Sequence, residues 1–195
     1  IIRQTDGLRR MVDEFSEFAR MPQPDKILFN IAKIIDEVIL LQATGNPHVQ
    51  IIKEYNERSF ICFGDPNLIN QVFNNLLKNA IESIETAISD GVLKKKKDGI
   101  IKVAITKVET NLIIKIRDNG VGLPVKKSQL FEPYVTSRQN GIGLGLAIVK
   151  KIVEEHDGYL NLLDAESFHS FTHRGAVAQV SLPLVSEQDG QIQLL

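Results

Sequence analysis

The sequence predicts an α+β fold of two layers, in which a mostly antiparallel sheet packs against helices. Two patterns carry this expectation. Ile100 to Thr106 and Leu112 to Ile116 are alternating or continuous apolar runs on either side of Glu109 to Asn111, which is a hairpin signal. Hairpin-linked strands of this kind are interspersed with only three substantial helical patterns. A chain of 195 residues with 43% hydrophobic side chains is also long enough to fill one compact core and carry a short appendage.

The elements follow in order. Ile1, Leu8, Met11, Phe15 and Phe18 are spaced by sevens, threes and fours, the pattern of a helix that buries a narrow apolar seam. Pro22 and Pro24 stop it. The periodicity fits a helix packed on its own domain or half of a helical bundle, and the heptad spacing favours the bundle. Asn30 then caps a helix whose stripe includes Ile31, Ile34, Ile35, Val38 and Leu41, ended by Gly45 to Pro47. Val49 to Tyr55 and Phe60 to Phe63 read as short strands. Asp65 followed by Pro66 is a cap with proline at the first helical position, opening a helix that runs to about Ile88. Lys94 to Lys97, between Gly91 and Gly99, form a solvated loop. Beyond the hairpin, Leu144 to Glu155 read as helix, and Tyr159 to Leu163 and Ala176 to Leu184 as strands.

Charge excludes one class of partner. Lys plus Arg (23) nearly balance Asp plus Glu (24), so no overall positive field exists to hold a nucleic acid or an anionic membrane. Cys62 is the only cysteine and cannot form an internal disulfide, which fits a reducing compartment and a cytoplasmic location. The first residues lack a signal peptide, and no apolar run approaches the roughly 18 residues that cross a bilayer, so any membrane part is expected upstream.

The chemistry-bearing residues fall into four ordered groups. On the helix after Asp65, Gln71, Asn75, Lys78, Asn79 and Glu82 share one polar stripe, and Leu68, Val72, Phe73, Leu76, Leu77, Ala80, Ile81 and Ile84 cover the rest. Asp118, Asn119, Gly120, Val121 and Gly122 follow a strand, placing a carboxylate at a sheet edge beside backbone that can turn sharply or let a ligand approach. Leu123 to Asn140, with Phe131, Pro133, Tyr134 and Arg138, lack periodicity and suit a loop closing over a ligand. Gly141, Gly143 and Gly145 open a helix, where free N–H groups and the helix dipole favour phosphates. Taken singly, each has a plainer reading as a solvent-facing stripe, a tight turn or a Gly-rich helix start.

Together and in this order, the four resemble the histidine-kinase branch of the ATP-binding superfamily shared with gyrase, the Hsp90 chaperones and MutL. Asn75 to Ala80 resemble its N box, Asp118 to Gly122 its first glycine box, Leu130 to Arg138 (LFEPYVTSR) its F box, and Gly141 to Leu146 (GIGLGL) its second glycine box. Leu8 to Pro22 (LRRMVDEFSEFARMP) resemble the end of the second dimerisation helix of nitrogen-regulation kinases of the NtrY kind. The resemblance implies a Bergerat-type two-layer sandwich of three main helices on a mixed five-stranded sheet, preceded by a partial dimerisation helix. Residues 1–24 would be that helix and a linker, 25–187 the ATP-binding domain, and 188–195 a tail.

The resemblance also implies ligands and roles. Asp118 would hydrogen-bond the adenine amino group of ATP or ADP, and Asn79 would ligate Mg2+, a hard cation that accepts an amide oxygen. Asn75, Lys78 and Arg138 would face the phosphates as the catalytic set, and Gly120, Gly122, Phe131, Gly141, Gly143, Leu144, Gly145 and Leu146 would complete the nucleotide site. The γ-phosphoryl group would pass to a histidine on a dimerisation segment of a homodimeric kinase, anchored in the inner membrane by upstream segments, and on to a response-regulator aspartate. Three departures stand out: Ile142 replaces the usual threonine, the late Gly-Thr-containing box survives as Gly175 followed by Ala176, and Asp164 to Arg174, with His169 and His173, has no counterpart.

Competing functions use the same residues. Gly141, Gly143 and Gly145 before a helix and a strand ending at Asp164 imitate a dinucleotide site, but the spacing is G-x-G-x-G and Val135 to Asn140 do not make a buried strand. An ATP-hydrolysing clamp of the superfamily needs a glutamate where Asn75 stands, and an amide cannot abstract a proton. A silent nucleotide-binding scaffold stays open. An acceptor histidine should precede an acidic residue on a bundle helix, with proline a few residues on, and none of His48, His156, His169 or His173 meets this. His156 reads as a helix C-terminal residue interacting with the dipole.

Overall fold

A computed structural model describes residues 23–57, 59–124, 127–132, 143–166 and 175–185. The expected dimerisation helix, Pro133, Tyr134, Arg138, Gly141, Ile142, His169, His173 and the C-terminal tail lie outside the described residues. Strand β1 (Ile27–Asn30) leads into helix α1 (Ile31–Gly45), β2 (Gln50–Lys53) and β3 (Ile61–Gly64) follow, and then the long α2 (Pro66–Ser89). The hairpin β4 (Ile100–Val108) and β5 (Asn111–Asp118) comes next, then α3 (Gly145–Glu155), β6 (Tyr159–Asp164) and β7 (Ala176–Pro183).

Local chemistry sets these boundaries. Asn30 is extended and its Oδ1 accepts the Ala32 N–H at 3.1 Å, while the same oxygen accepts the Phe60 N–H at 3.2 Å. Asp65 caps α2, its Oδ1 accepting the N–H groups of Asn67 at 2.9 Å and Leu68 at 3.3 Å, with Pro66 at the first helical position. One expected core residue proves exposed: Leu41 is 62% accessible, like its neighbour Leu40, and Ile39 is buried instead. Leu41 lies on the flank of the α1 stripe, and the packed face turns toward Ile39 where the helix meets α2.

Five strands form the main sheet in the order β2-β4-β5-β7-β6, with β2 parallel to β4 and every other pair antiparallel. This mixed sheet carries alternating residues inward, Ile101, Val103 and Ile105 from β4 and Leu112, Ile114 and Ile116 from β5, all buried. They join Val72, Phe73, Leu76, Leu77, Ile84 and the α3 residues Ile148, Val149, Ile152 and Val153 in one core. Burial of this apolar area is the main favourable contribution to folding. No described helix is long and apolar enough to cross a membrane.

The sheet differs from expectation in one respect. The run expected as a strand at Phe60 to Phe63 does not enter the main sheet but pairs, as β3, with β1 in a separate two-stranded ribbon, Leu28 opposite Phe63 and Phe29 opposite Cys62. Strand β1 itself is too short and too close to Pro24 to show a period in the sequence.

Candidate functional site

Helix α2 runs between α1 and α3 and lies over β4 and β5, so its exposed-side residues border the end of the central strand. Strand β5 is the middle strand and ends at Asp118, so this carboxylate emerges at the C-terminal end of the central strand rather than at a lateral edge of the sheet. Asp118 is 5% exposed. Its Oδ1 accepts the Gly120 N–H at 2.8 Å and the Ser83 hydroxyl at 3.3 Å. Burial pushes its carboxyl up to about 6 from the ordinary 3.8, opposed by hydrogen bonds from Gly120, Ala176 and Ser83 that favour the charged form.

Two glycines make this arrangement possible by close approach. A Cβ on Gly120 would sit 2.2 Å from Ser83 Oγ and 2.5 Å from the Ser83 carbonyl carbon, so the turn after β5 lies directly on α2. A Cβ on Gly175 would sit 1.8 Å from the Asp118 carbonyl oxygen, so the residue left of the expected late glycine box packs directly on the backbone at the end of β5. Asn119, 1% exposed, is a brace that the sequence reading did not single out. Its Oδ1 accepts the Ile100 N–H at 2.8 Å and its Nδ2 donates to Asp98 O at 2.7 Å, tying the turn to the start of β4.

The other expected residues fall around this floor. Asn75 and Asn79 are half-buried on α2, and Lys78 beside them is exposed. A Cβ on Gly145 would lie 3.9 Å from Asn75 Oδ1, so the start of α3 and the amide row of α2 adjoin. Gly143 has φ 76°, open to glycine, and Gly122 has φ 79°. Among the described residues no side chain caps the N-terminus of α3, in contrast to the caps of α1 and α2, and such a helix start suits an anion. Leu144 is fully buried in the core, so this residue has only its backbone to offer a ligand. Leu146 and Phe131 pack partly against the core, and the Lys150 ammonium lies 5.4 Å from the centroid of the Phe131 ring. Ser83 was also missed, although it stands four residues beyond Asn79 on the same helical row as Asn75 and Asn79.

This constellation fits a purine nucleotide. It offers one buried acceptor at the floor, amide oxygens along one wall and an uncapped helix start opposite them. A hard cation fits the amide row, because a side-chain amide oxygen is a suitable ligand for Mg2+. The dinucleotide alternative does not fit, because β6, which ends at Asp164, pairs antiparallel with β7 and no parallel crossover unit surrounds the glycines among the described residues.

Comparison with known proteins places the chain. Residues 64–186 match the family described as histidine kinase-, DNA gyrase B-, and HSP90-like ATPase. The nitrogen regulation protein NtrY of Azorhizobium caulinodans is 45% identical over 166 residues, 85% of this chain but only 21% of that protein, so the chain spans about a fifth of the relative's length. The catalytic domain of histidine kinase ThkA superposes with a TM-score of 0.67 at 26% identity, over 82% of this chain and 96% of that one. ThkA in complex with the response regulator protein TrrA gives a TM-score of 0.72 at 23% identity, over 94% of this chain and 49% of that one. The chain belongs to the histidine kinase-, DNA gyrase B- and HSP90-like ATPase family, as an ATP-binding domain of the NtrY-like histidine-kinase branch.

Proposed function

We propose that this chain binds Mg-ATP and serves as the phosphoryl-donating part of a sensor kinase, whose acceptor is a histidine on a dimerisation segment and whose onward acceptor is a response-regulator aspartate. The observation that carries the reading is Asp118, a buried carboxylate at the end of the central strand, facing a helix whose amide row adjoins an uncapped helix start. The relatives named as nitrogen-regulation and histidine kinases support the acceptor class. Residues 1–24 are assigned to the end of a dimerisation helix and linker, 25–187 to the ATP-binding domain and 188–195 to a tail. The whole kinase is assigned to the inner membrane as a homodimer with this domain on the cytoplasmic side.

In this reading Asp118 accepts the adenine amino group and excludes purines that lack a donor there. The Asn79 amide oxygen holds Mg2+, which when bound neutralises charge on the phosphates. Asn75, Lys78 and Arg138 orient the phosphates, and the N–H groups from Gly141 to Leu146 add dipole stabilisation. Phe131, packed partly against the core, completes the nucleotide site. Asn75 has no basic group to activate water, which favours transfer to a histidine over hydrolysis.

Calorimetric titration with ATP, ADP and NAD, with and without Mg2+, tests the ligand. ATP and ADP are expected to compete and NAD to fail; tight NAD binding would overturn the assignment. Labelled Mg-ATP should then bind the chain without leaving phosphohistidine on His48, His156, His169 or His173. An added dimerisation segment with an intact acceptor should become labelled, slowly, because no tether raises its effective concentration. An acceptor that stays unlabelled at every concentration would favour a silent scaffold.

A further inference from the structure

The polar row on α2 does not end at the asparagines. Asn75, Asn79 and Ser83 are spaced by four and share one helical face. The first adjoins the start of α3, while the third reaches the end of β5, where its hydroxyl donates to Asp118 Oδ1 at 3.3 Å. We propose that Ser83 is a positioning residue for base recognition, whose hydroxyl orients the Asp118 carboxylate so that one acceptor site faces the amino group of a 6-aminopurine. The proposal rests on the reading of Asp118 as the acceptor for adenine.

The carboxylate's hydrogen-bond inventory carries the argument. An ionised carboxylate only accepts, through two oxygens, and Oδ1 of Asp118 takes both the Gly120 N–H at 2.8 Å and the Ser83 hydroxyl. The N–H groups of Ala176 and of Asp118 itself also address the carboxylate. Three of these four donors are backbone groups, from the end of β5, the turn after it and β7, so they hold the carboxylate to the sheet. Ser83 alone comes from the helical layer. Without its hydroxyl, no described donor from that layer would set the rotation of the carboxylate, which could turn toward α2 and away from the ligand. The hydroxyl also has little freedom, because Gly120 lies so close that a single added carbon would meet Ser83 Oγ at 2.2 Å.

A merely structural serine would behave differently. Ser83→Ala gains helix propensity but leaves a buried carboxylate one donor short, so the melting temperature of the 195-residue chain is expected to fall slightly, and the test of role lies in binding. Its affinity for ADP should fall about tenfold, the size of effect for a lost hydrogen bond to a charged group. The probe that separates roles is the purine-riboside diphosphate, which lacks the 6-amino group. It should bind the parent weakly and Ser83→Ala equally weakly, so that the loss couples to the amino group alone. Ser83→Thr, which keeps the hydroxyl, should restore discrimination. Equal losses for both nucleotides, or parent-like ADP binding by Ser83→Ala while Asp118→Ala binds poorly, would overturn the role of Ser83. Parent-like ADP binding by Asp118→Ala would instead overturn the reading of the pocket itself, and the inference with it.

Discussion

The His156 imidazole accepts the Asp65 backbone N–H through Nε2 at 2.9 Å, joining the C-terminal end of α3 to the cap of α2 across 91 positions of sequence. A backbone N–H can only donate, so Nδ1 carries the ring proton and donates to Ile152 O at 2.7 Å. His156 is 2% exposed, and a Cβ on Gly64 would meet its Cδ2 at 2.5 Å. The interaction with the helix end expected from the sequence is present, but the imidazole's larger role is to fix α2 against α3.

Replacing this ring should therefore be costly. His156→Ala leaves the Asp65 N–H without its partner and opens a cavity beneath Gly64, for an expected loss of about 2–4 kcal/mol. Urea unfolding checks it, with a parent-like midpoint as the contrary result. Because both ring nitrogens are engaged and buried, the folded chain should also show no phosphoryl transfer to His156.

Asp118 predicts a pH dependence. An aspartate ordinarily titrates at 3.8, and burial holds Asp118 protonated up to about 6. The folded state thus binds the extra proton between these values. The contribution of Asp118 to stability is fully present below 3.8 and is lost as pH rises to about 6, a change of roughly 3 kcal/mol. Recognition runs the opposite way, because the charged form is the stronger acceptor. Adenine-nucleotide affinity should fall as pH drops through about 6, and Asp118→Asn should lose that acidic limb along with about 1–3 kcal/mol of binding at pH 8. Calorimetry across this range, with the variant correcting for titration of the nucleotide's own phosphates, measures both.

The two asparagines should separate by chemistry. Asn79→Ala is expected to weaken nucleotide binding only when Mg2+ is present, by about 1–3 kcal/mol. Asn75→Glu supplies a base that an amide lacks and should introduce slow ATP hydrolysis. Mg-ATP affinity equal to the parent's in Asn79→Ala would show that the metal ligand lies elsewhere.

Gly175→Ala tests the close approach behind Asp118. The new methyl would lie 1.8 Å from a backbone oxygen, which cannot swing aside as a flexible side chain can, so the end of β5 must shift. An expected loss of more than about 2 kcal/mol in stability should accompany weakened nucleotide binding. Gly45→Ala, with nothing within 4 Å of the added carbon, is the control expected to be neutral or slightly stabilising.

Much of this domain was legible because it is written in short-range terms. Asn30 and Asp65 with Pro66 mark helix starts through bonds to residues two or three positions on, and the alternation in β4 and β5 follows from the two-residue period of a strand. The order of the four motifs pointed to the family before any contact was known. Tertiary structure alone decided where distant pieces meet: β3 leaves the main sheet for β1, Leu41 gives its buried place to Ile39, Ser83 reaches Asp118 across 35 positions, and His156 reaches Asp65. Periodicity placed Ser83 on the row of Asn75 and Asn79 but named no partner for any of these residues, because each contact depends on which surfaces pack once the elements exist. A lone serine or histidine reads the same in sequence whether it faces water or completes a buried hydrogen bond.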